Sequence, residues 1–246
     1  MRGVLPKVMT VIAGLSVLFA LVVWGFYRAS THEPEFYKAA LKVEPAQQEQ
    51  AGDALEQGVL ELHNQAREEG RWEAVFTDEQ LNGWLATDLA HKFPRLLPTG
   101  AKDPRIGITP DQIQIACRYQ KANVETIISL ALDVHLTAST NTLAVKISKL
   151  RAGTLPVPLK HFLDRISHAA HRSEIPLRWK VQDGDPLALI TVPVQHEDYA
   201  HRAIYLETVE LREGEVYLAG NTQQAGNKLM AQQDSDRSAE NETVQR

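Results

Sequence analysis

The run from Val8 to Tyr27, VMTVIAGLSVLFALVVWGFY, carries no charge over about twenty residues. As a helix rising ~1.5 Å per residue, it spans the ~30 Å hydrocarbon core of a bilayer. A secretory signal has a shorter apolar core of roughly 7–15 residues and a small-residue cleavage site. Here the chain continues Trp24-Gly25-Phe26-Tyr27-Arg28-Ala29-Ser30, with no A-x-A pattern and no following lipoprotein-type cysteine. The run therefore predicts an uncleaved anchor over residues 8–28, with a cleaved signal as the competing reading. Trp24, Tyr27 and Arg28 fall at its far end, the anchor interface, where amphipathic rings suit the membrane–water boundary. Arg2 and Lys7 precede the run; Arg28, then Glu33 and Glu35, follow it. The positive-inside bias places residues 1–7 in the cytoplasm. The rest faces the outside of the cytoplasmic (inner) membrane, as a single-pass protein.

About 215 residues follow the anchor, enough for one domain with a real core. The formal charge is −5 and no Lys/Arg block stands out, which argues against nucleic acid as a partner. Cys117 is the single cysteine, so an exported domain has no internal disulfide and depends on packing. It falls in an alternating apolar pattern, which predicts a buried, inert thiol.

Residues 29–45 read as a juxtamembrane connector with a short helical piece at 35–41. Pro45 opens a helix to Gly70, whose face of Ala51, Leu55, Val59, Leu62 and Ala66 is narrow. Such a face predicts light packing or a stalk. Phe76-Thr77-Asp78-Glu79-Gln80-Leu81 then starts a helix twice over: Thr77 and Gln80 fit a capping box, Phe76 and Leu81 a hydrophobic staple. Leu81, Trp84, Leu85 and Leu89 share one face, and Pro94 ends the region.

From Ile106 the period changes to two. Ile113, Ile115, Cys117 and Tyr119 alternate with polar or small residues. A long strand runs from Val124 to about Thr137, with Ile128, Leu130, Leu132 and Val134 on one face. This length exceeds the usual five or six residues and predicts strong curvature or a bulge. Ser139-Thr140-Asn141 turns the chain into Leu143, Val145 and Ile147. A helix at about 158–171 presents Leu159, Phe162, Leu163, Ile166 and Ala170. Asp183-Gly184 and Glu213-Gly214 mark two further hairpins. The polar segment 223–246 has the composition of a disordered tail. The predicted fold is α+β: a transmembrane helix, then a domain over 46–222 with a curved antiparallel sheet packed with two or three amphipathic helices.

The stretches WEAVFTDEQLNGWLATDL (72–89), ISKLRAGTLPVPLKHFLDRI (147–166) and RWKVQDGDPLAL (178–189) resemble, as a set, a group of membrane-anchored planctomycete-type proteins. More distantly they are similar to the YpmS-like extracytoplasmic proteins of Gram-positive bacteria. That similarity rests on one N-terminal span, a T-x-x-Q-L-N helix start, long strands, and a Gly-x-Leu-Pro-x-Pro turn into a helix. The distant family lacks the helix at 46–69. The resemblance covers most of residues 72–222, implies the topology, and supplies no catalytic residues.

Nine histidines raise a metal hypothesis. His168 and His171 stand at i, i+3, without the i, i+4 spacing and Glu of a helical zinc pair. His196, Glu197, Asp198 and His201 cluster ligand types in a predicted loop. Asp133 and His135 share a strand face, yet no G-x-S-x-G or S-x-x-K supplies a nucleophile. No catalytic, cofactor-binding or metal residues are assigned, and no cofactor is implied. The expectation is a membrane-tethered binding or scaffold domain, with the lipid bilayer as a partner through residues 8–28. Its ligand is a lipid or an envelope protein. Ile128, Leu130, Leu132, Val134, Phe162 and Ile166 are the candidate apolar groove, with a filled core as the competing reading. The alternative function is a metal-dependent hydrolase using His and Asp/Glu from separated segments.

Overall fold

A computed structural model describes residues 32–93, 97–121, 124–172, 176–182, 184–194 and 202–224. The expected anchor with Trp24, Tyr27 and Arg28, and His196 and His201, lie outside the described residues. Of the expected tail 223–246, Gln223 and Gln224 are instead paired in the last strand, and the rest lies outside the described residues. Among the described residues no helix is long and apolar enough to cross a membrane.

Helix α1 (Glu35–Leu41) follows Pro34, and α2 (Pro45–Arg67) opens with Pro45 in its first turn, where the missing N–H costs no bond. Strand β1 (Gly70–Thr77) comes next. This strand was not among the expected ones; Trp72 and Phe76 are its buried alternate residues. The capping box then forms as the sequence predicts. Thr77 Oγ1 accepts from the Gln80 N–H at 3.2 Å, and Gln80 Oε1 accepts from the Thr77 N–H at 3.0 Å. The helix it starts, α3 (Asp78–Thr87), stops at Asp88 and restarts as the short α4 (Leu89–Lys92).

Strands β2 (Ala101–Thr109), β3 (Gln112–Lys121), β4 (Val124–Leu136) and β5 (Thr142–Ala152) form an antiparallel meander. After the short β6 (Leu155–Pro156) and helix α5 (Lys160–Arg172) come β7 (Leu177–Gln182), β8 (Asp185–Thr191), β9 (Arg202–Arg212) and β10 (Glu215–Gln224). The large sheet runs β2-β3-β4-β5-β8-β7, with β6 on β5; a small sheet runs β1-β10-β9. All pairings among the described residues are antiparallel, so the α+β class with a large antiparallel sheet holds. The length of β4 predicts a bulge within it; the register instead places the extra residue in its partner β5, opposite Leu130. Ser129 pairs with Arg151 and Ala131 with Ser148, so Lys149 and Leu150 together face Leu130.

Helix α2 is no free stalk: it packs along α3 and on β1. The two backbones meet at glycines. A Cβ on Gly83 would lie 2.4 Å from the Gln48 carbonyl oxygen and 2.6 Å from the Gly52 nitrogen. Tyr37 of α1 is buried with Ala116 and Ile127 of the large sheet, joined at the rim by Phe36 and Leu41. Helix α5 meets the sheet at β7, where Trp179 Nε1 donates to Ser167 Oγ at 2.8 Å.

Candidate functional site

Strand β2 is an edge of the large sheet, and an open edge exposes unpaired N–H and C=O groups. Side chains from the helices cover it. Asn82 Nδ2 donates to the Ile106 carbonyl at 2.8 Å, while Asn82 Oδ1 accepts from the Ile106 N–H at 2.7 Å. The Ile108 N–H leans on Asp78 Oδ2 at 3.4 Å, and the Ile108 carbonyl accepts from the Gly214 N–H at 3.0 Å. Tyr37 donates its hydroxyl to the Asp103 carbonyl at 3.0 Å. Phe36 lies over Gly107, where any Cβ would stand 2.9 Å from the ring.

These contacts hold α1, α2 and α3 against β2 and leave a cleft of about 620 Å³ between them. Phe36, Ala40, Val43, Ala51 and Ile106 supply apolar walls. Asp78, Glu79, Asn82, Gln47 and Gln48 supply the polar groups, and no lysine, arginine or histidine is among the described lining residues. Burial pushes the Asp78 carboxyl above its ordinary range, and the neighbouring Glu79 and Glu213 charges push the same way. The Ile108 N–H opposes this only in part. An apolar cleft with convergent polar groups and a perturbed carboxyl has the character of a binding site. Two carboxylates without a cation give it a negative potential.

A second hollow of about 630 Å³, more open, lies between α2 and α3 along Leu55, Val59, Leu60, Leu81 and Trp84. Its polar groups are fewer, so it offers area without orientation.

The sequence-predicted residues fall elsewhere. Ile128, Leu130, Leu132 and Val134 alternate along β4 and are half-buried. The register sets the first three beside Cys117, Ile115 and Ile113 of β3, so they form one apolar band. Ile166 is half-buried on α5, while the Phe162 side chain lies outside what is described. Asp133 and His135 approach only to 3.9 Å and are both more than half exposed. His168 and His171 are exposed. Among the described residues no three His, Cys, Asp or Glu side chains gather around a point. Cys117 is half-buried, and burial pushes its thiol up.

Sequence reasoning took Thr77–Asn82 as a helix start and missed its second role. Asp78 and Asn82 stand at i, i+4, so one helix face carries both to β2. That spacing was the available signal. No protein-family model matches the chain, and comparison with curated proteins returns no match.

Proposed function

We propose that this chain is a membrane-tethered extracytoplasmic binding domain, and that the cleft between α1, α2, α3 and β2 takes an amphiphile with a short apolar body and a cationic head. The observation that carries the reading is the lining: apolar walls around Asp78 and Glu79 with no opposing cation. A cationic head placed there is favoured by both carboxylates and lowers the cost of keeping Asp78 ionised in a half-buried position. The apolar run 8–27 supports the tether. Helix α1, which forms one wall, begins eight residues after Tyr27. The cleft is therefore separated from that run by a step of eight residues along the chain, which keeps it within reach of ligands that partition into a bilayer.

The test uses the full chain in nanodiscs with hexylammonium and hexanoate as matched probes. Hexylammonium is expected to raise the thermal midpoint and hexanoate to leave it unchanged. Asp78→Asn removes the charge and Ala40→Trp fills the cleft; each abolishes the response. Equal effects of the two probes, or a response that survives both substitutions, rejects the cleft assignment. Carbonate extraction of host membranes tests the tether, which is rejected if the chain is released.

A further inference from the structure

We infer that the face of the large sheet around Lys149 and Arg151 rests on the phosphate headgroups of an anionic bilayer; this builds on the tethered reading above. The bulge in β5, opposite Leu130, makes the face. In a regular strand Lys146 and Arg151, five residues apart, point to opposite sides. The register shift pairs Arg151 with Ser129, Ser148 with Ala131 and Lys146 with Asp133, which puts all three on one side. Lys149 sits inside the bulge with φ 53, a backbone conformation that a lysine rarely adopts. Leu150 is buried, while Lys149 and Arg151 are exposed and line a hollow of about 240 Å³ with Pro34, Gln112 and Gln114.

The cations continue across the sheet. Lys146 pairs with Leu187, and Leu187 with Lys180; Leu189 pairs with Arg178. Lys180 and Arg178 are exposed on that same side. Five cations on β5 and β7 thus stand with two nearby carboxylates, Asp133 and Asp185, and Asp185 is held by Lys146 at 3.1 Å. Further along the same side of β4, Glu125 is paired with Arg118 at 3.5 Å. Among the described residues Lys149, Arg151, Arg178 and Lys180 meet no carboxylate; Lys149 reaches only Gln112 Oε1, at 3.4 Å. Helix α2 shows the opposite sign, with Glu49, Asp53, Glu56 and Glu61 against Arg67. A chain of net charge −5 is therefore polarised by its fold.

Position selects the partner. Pro34 lines the hollow and stands seven residues after Tyr27. Seven extended residues reach at most ~24 Å, so a chain anchored by 8–27 carries this basic face close to the headgroups. Lysines and arginines that near an anionic surface each favour docking roughly fivefold, and salt screens the effect.

The experiment places a nitroxide on Pro156→Cys, opposite Arg151, or on Leu60→Cys of α2, in a Cys117→Ala full-length chain carried in nanodiscs. Nickel-chelating lipid broadens labels that touch the headgroups. Broadening at position 156 is expected in discs with phosphatidylglycerol and not in pure phosphatidylcholine, and position 60 stays sharp in both. High salt removes the broadening. Lys149→Gln with Arg151→Gln weakens docking roughly 25-fold. Broadening that ignores lipid charge, that appears equally at 60, that survives neutralisation, or that is absent from charged discs overturns the inference alone. A chain that elutes free of the discs overturns the tethered reading and this inference with it.

Discussion

Asn141 donates from Nδ2 to the Ile204 carbonyl at 2.7 Å, 63 residues along the chain. Its Oδ1 accepts from the Leu206 N–H at 2.8 Å, and its own carbonyl accepts from the Val192 N–H at 2.8 Å. It does this from the left-handed region at φ 52 and is only 2% exposed. A single amide at the β4–β5 turn thus joins the large sheet to β9, the edge of the small one.

Asn141→Ala leaves two backbone groups of β9 unpaired and strains the turn. The expected loss is about 3–5 kcal/mol. Asn141→Gly keeps the turn and loses only the side-chain bonds, so it is expected to be the milder change. Urea unfolding of both variants checks the order, and a glycine variant as unstable as the alanine one contradicts it.

Asn82 performs the same service for β2, exchanging both hydrogen bonds with Ile106. Asn82→Ala is expected to cost about 2 kcal/mol and to open the edge to another copy. Concentration-dependent light scattering should rise in the variant. Asn82→Asp keeps the acceptor for the Ile106 N–H and falls between the two. A variant that is less stable but strictly monomeric shows that other groups close the edge.

The local part of this architecture was legible. Thr77 and Gln80 lie three residues apart, and their capping box needs no distant partner. The hairpins were legible from Gly184 and Gly214, both at positive φ. The strand that carries the bulge was not, because the length of β4 says nothing of which partner takes the extra residue, and it falls in β5 instead of β4. The strand β1 was hidden because Phe76 also fits a hydrophobic staple in the sequence, whereas the fold sets its ring beside Gly58 of α2. The cleft was hidden for a different reason: Asn82 and Ile106 are 24 residues apart, and Asp78 gains its setting only when β2 and the Gly214 turn arrive. The basic face was equally invisible, since Lys146 and Arg151 share a side only through a register shift.

Gly83 separates helix propensity from packing. Alanine favours an isolated helix over glycine by about 1 kcal/mol. Here its Cβ falls on the Gln48 carbonyl and the Gly52 nitrogen, both backbone atoms that cannot swing away. Gly83→Ala is expected to destabilise by about 1–3 kcal/mol. Gly58→Ala meets only the Phe76 ring, at 3.2 Å, and is expected to be neutral or mildly stabilising. Thermal midpoints that rise for both substitutions would show that α2 and α3 are not in close register.

Tyr37 predicts a loss of stability in alkali. Its hydroxyl donates to the Asp103 carbonyl inside the α1–sheet contact, and burial pushes the phenol up from 10.0 to about 12. Below pH 10 both folded and unfolded chains hold the proton, and the contribution is fully present. Between pH 10 and about 12 the unfolded chain ionises while the folded one does not, so stability falls as pH rises through that window. Tyr37→Phe gives up one hydrogen bond, about 1 kcal/mol at neutral pH. It should also remove this tyrosine's share of the alkaline slope. The check is the difference between wild-type and variant urea midpoints from pH 7 to pH 11: the gap is expected to narrow above pH 10, and a constant gap would mean that the Tyr37 phenol titrates as freely as in the unfolded chain.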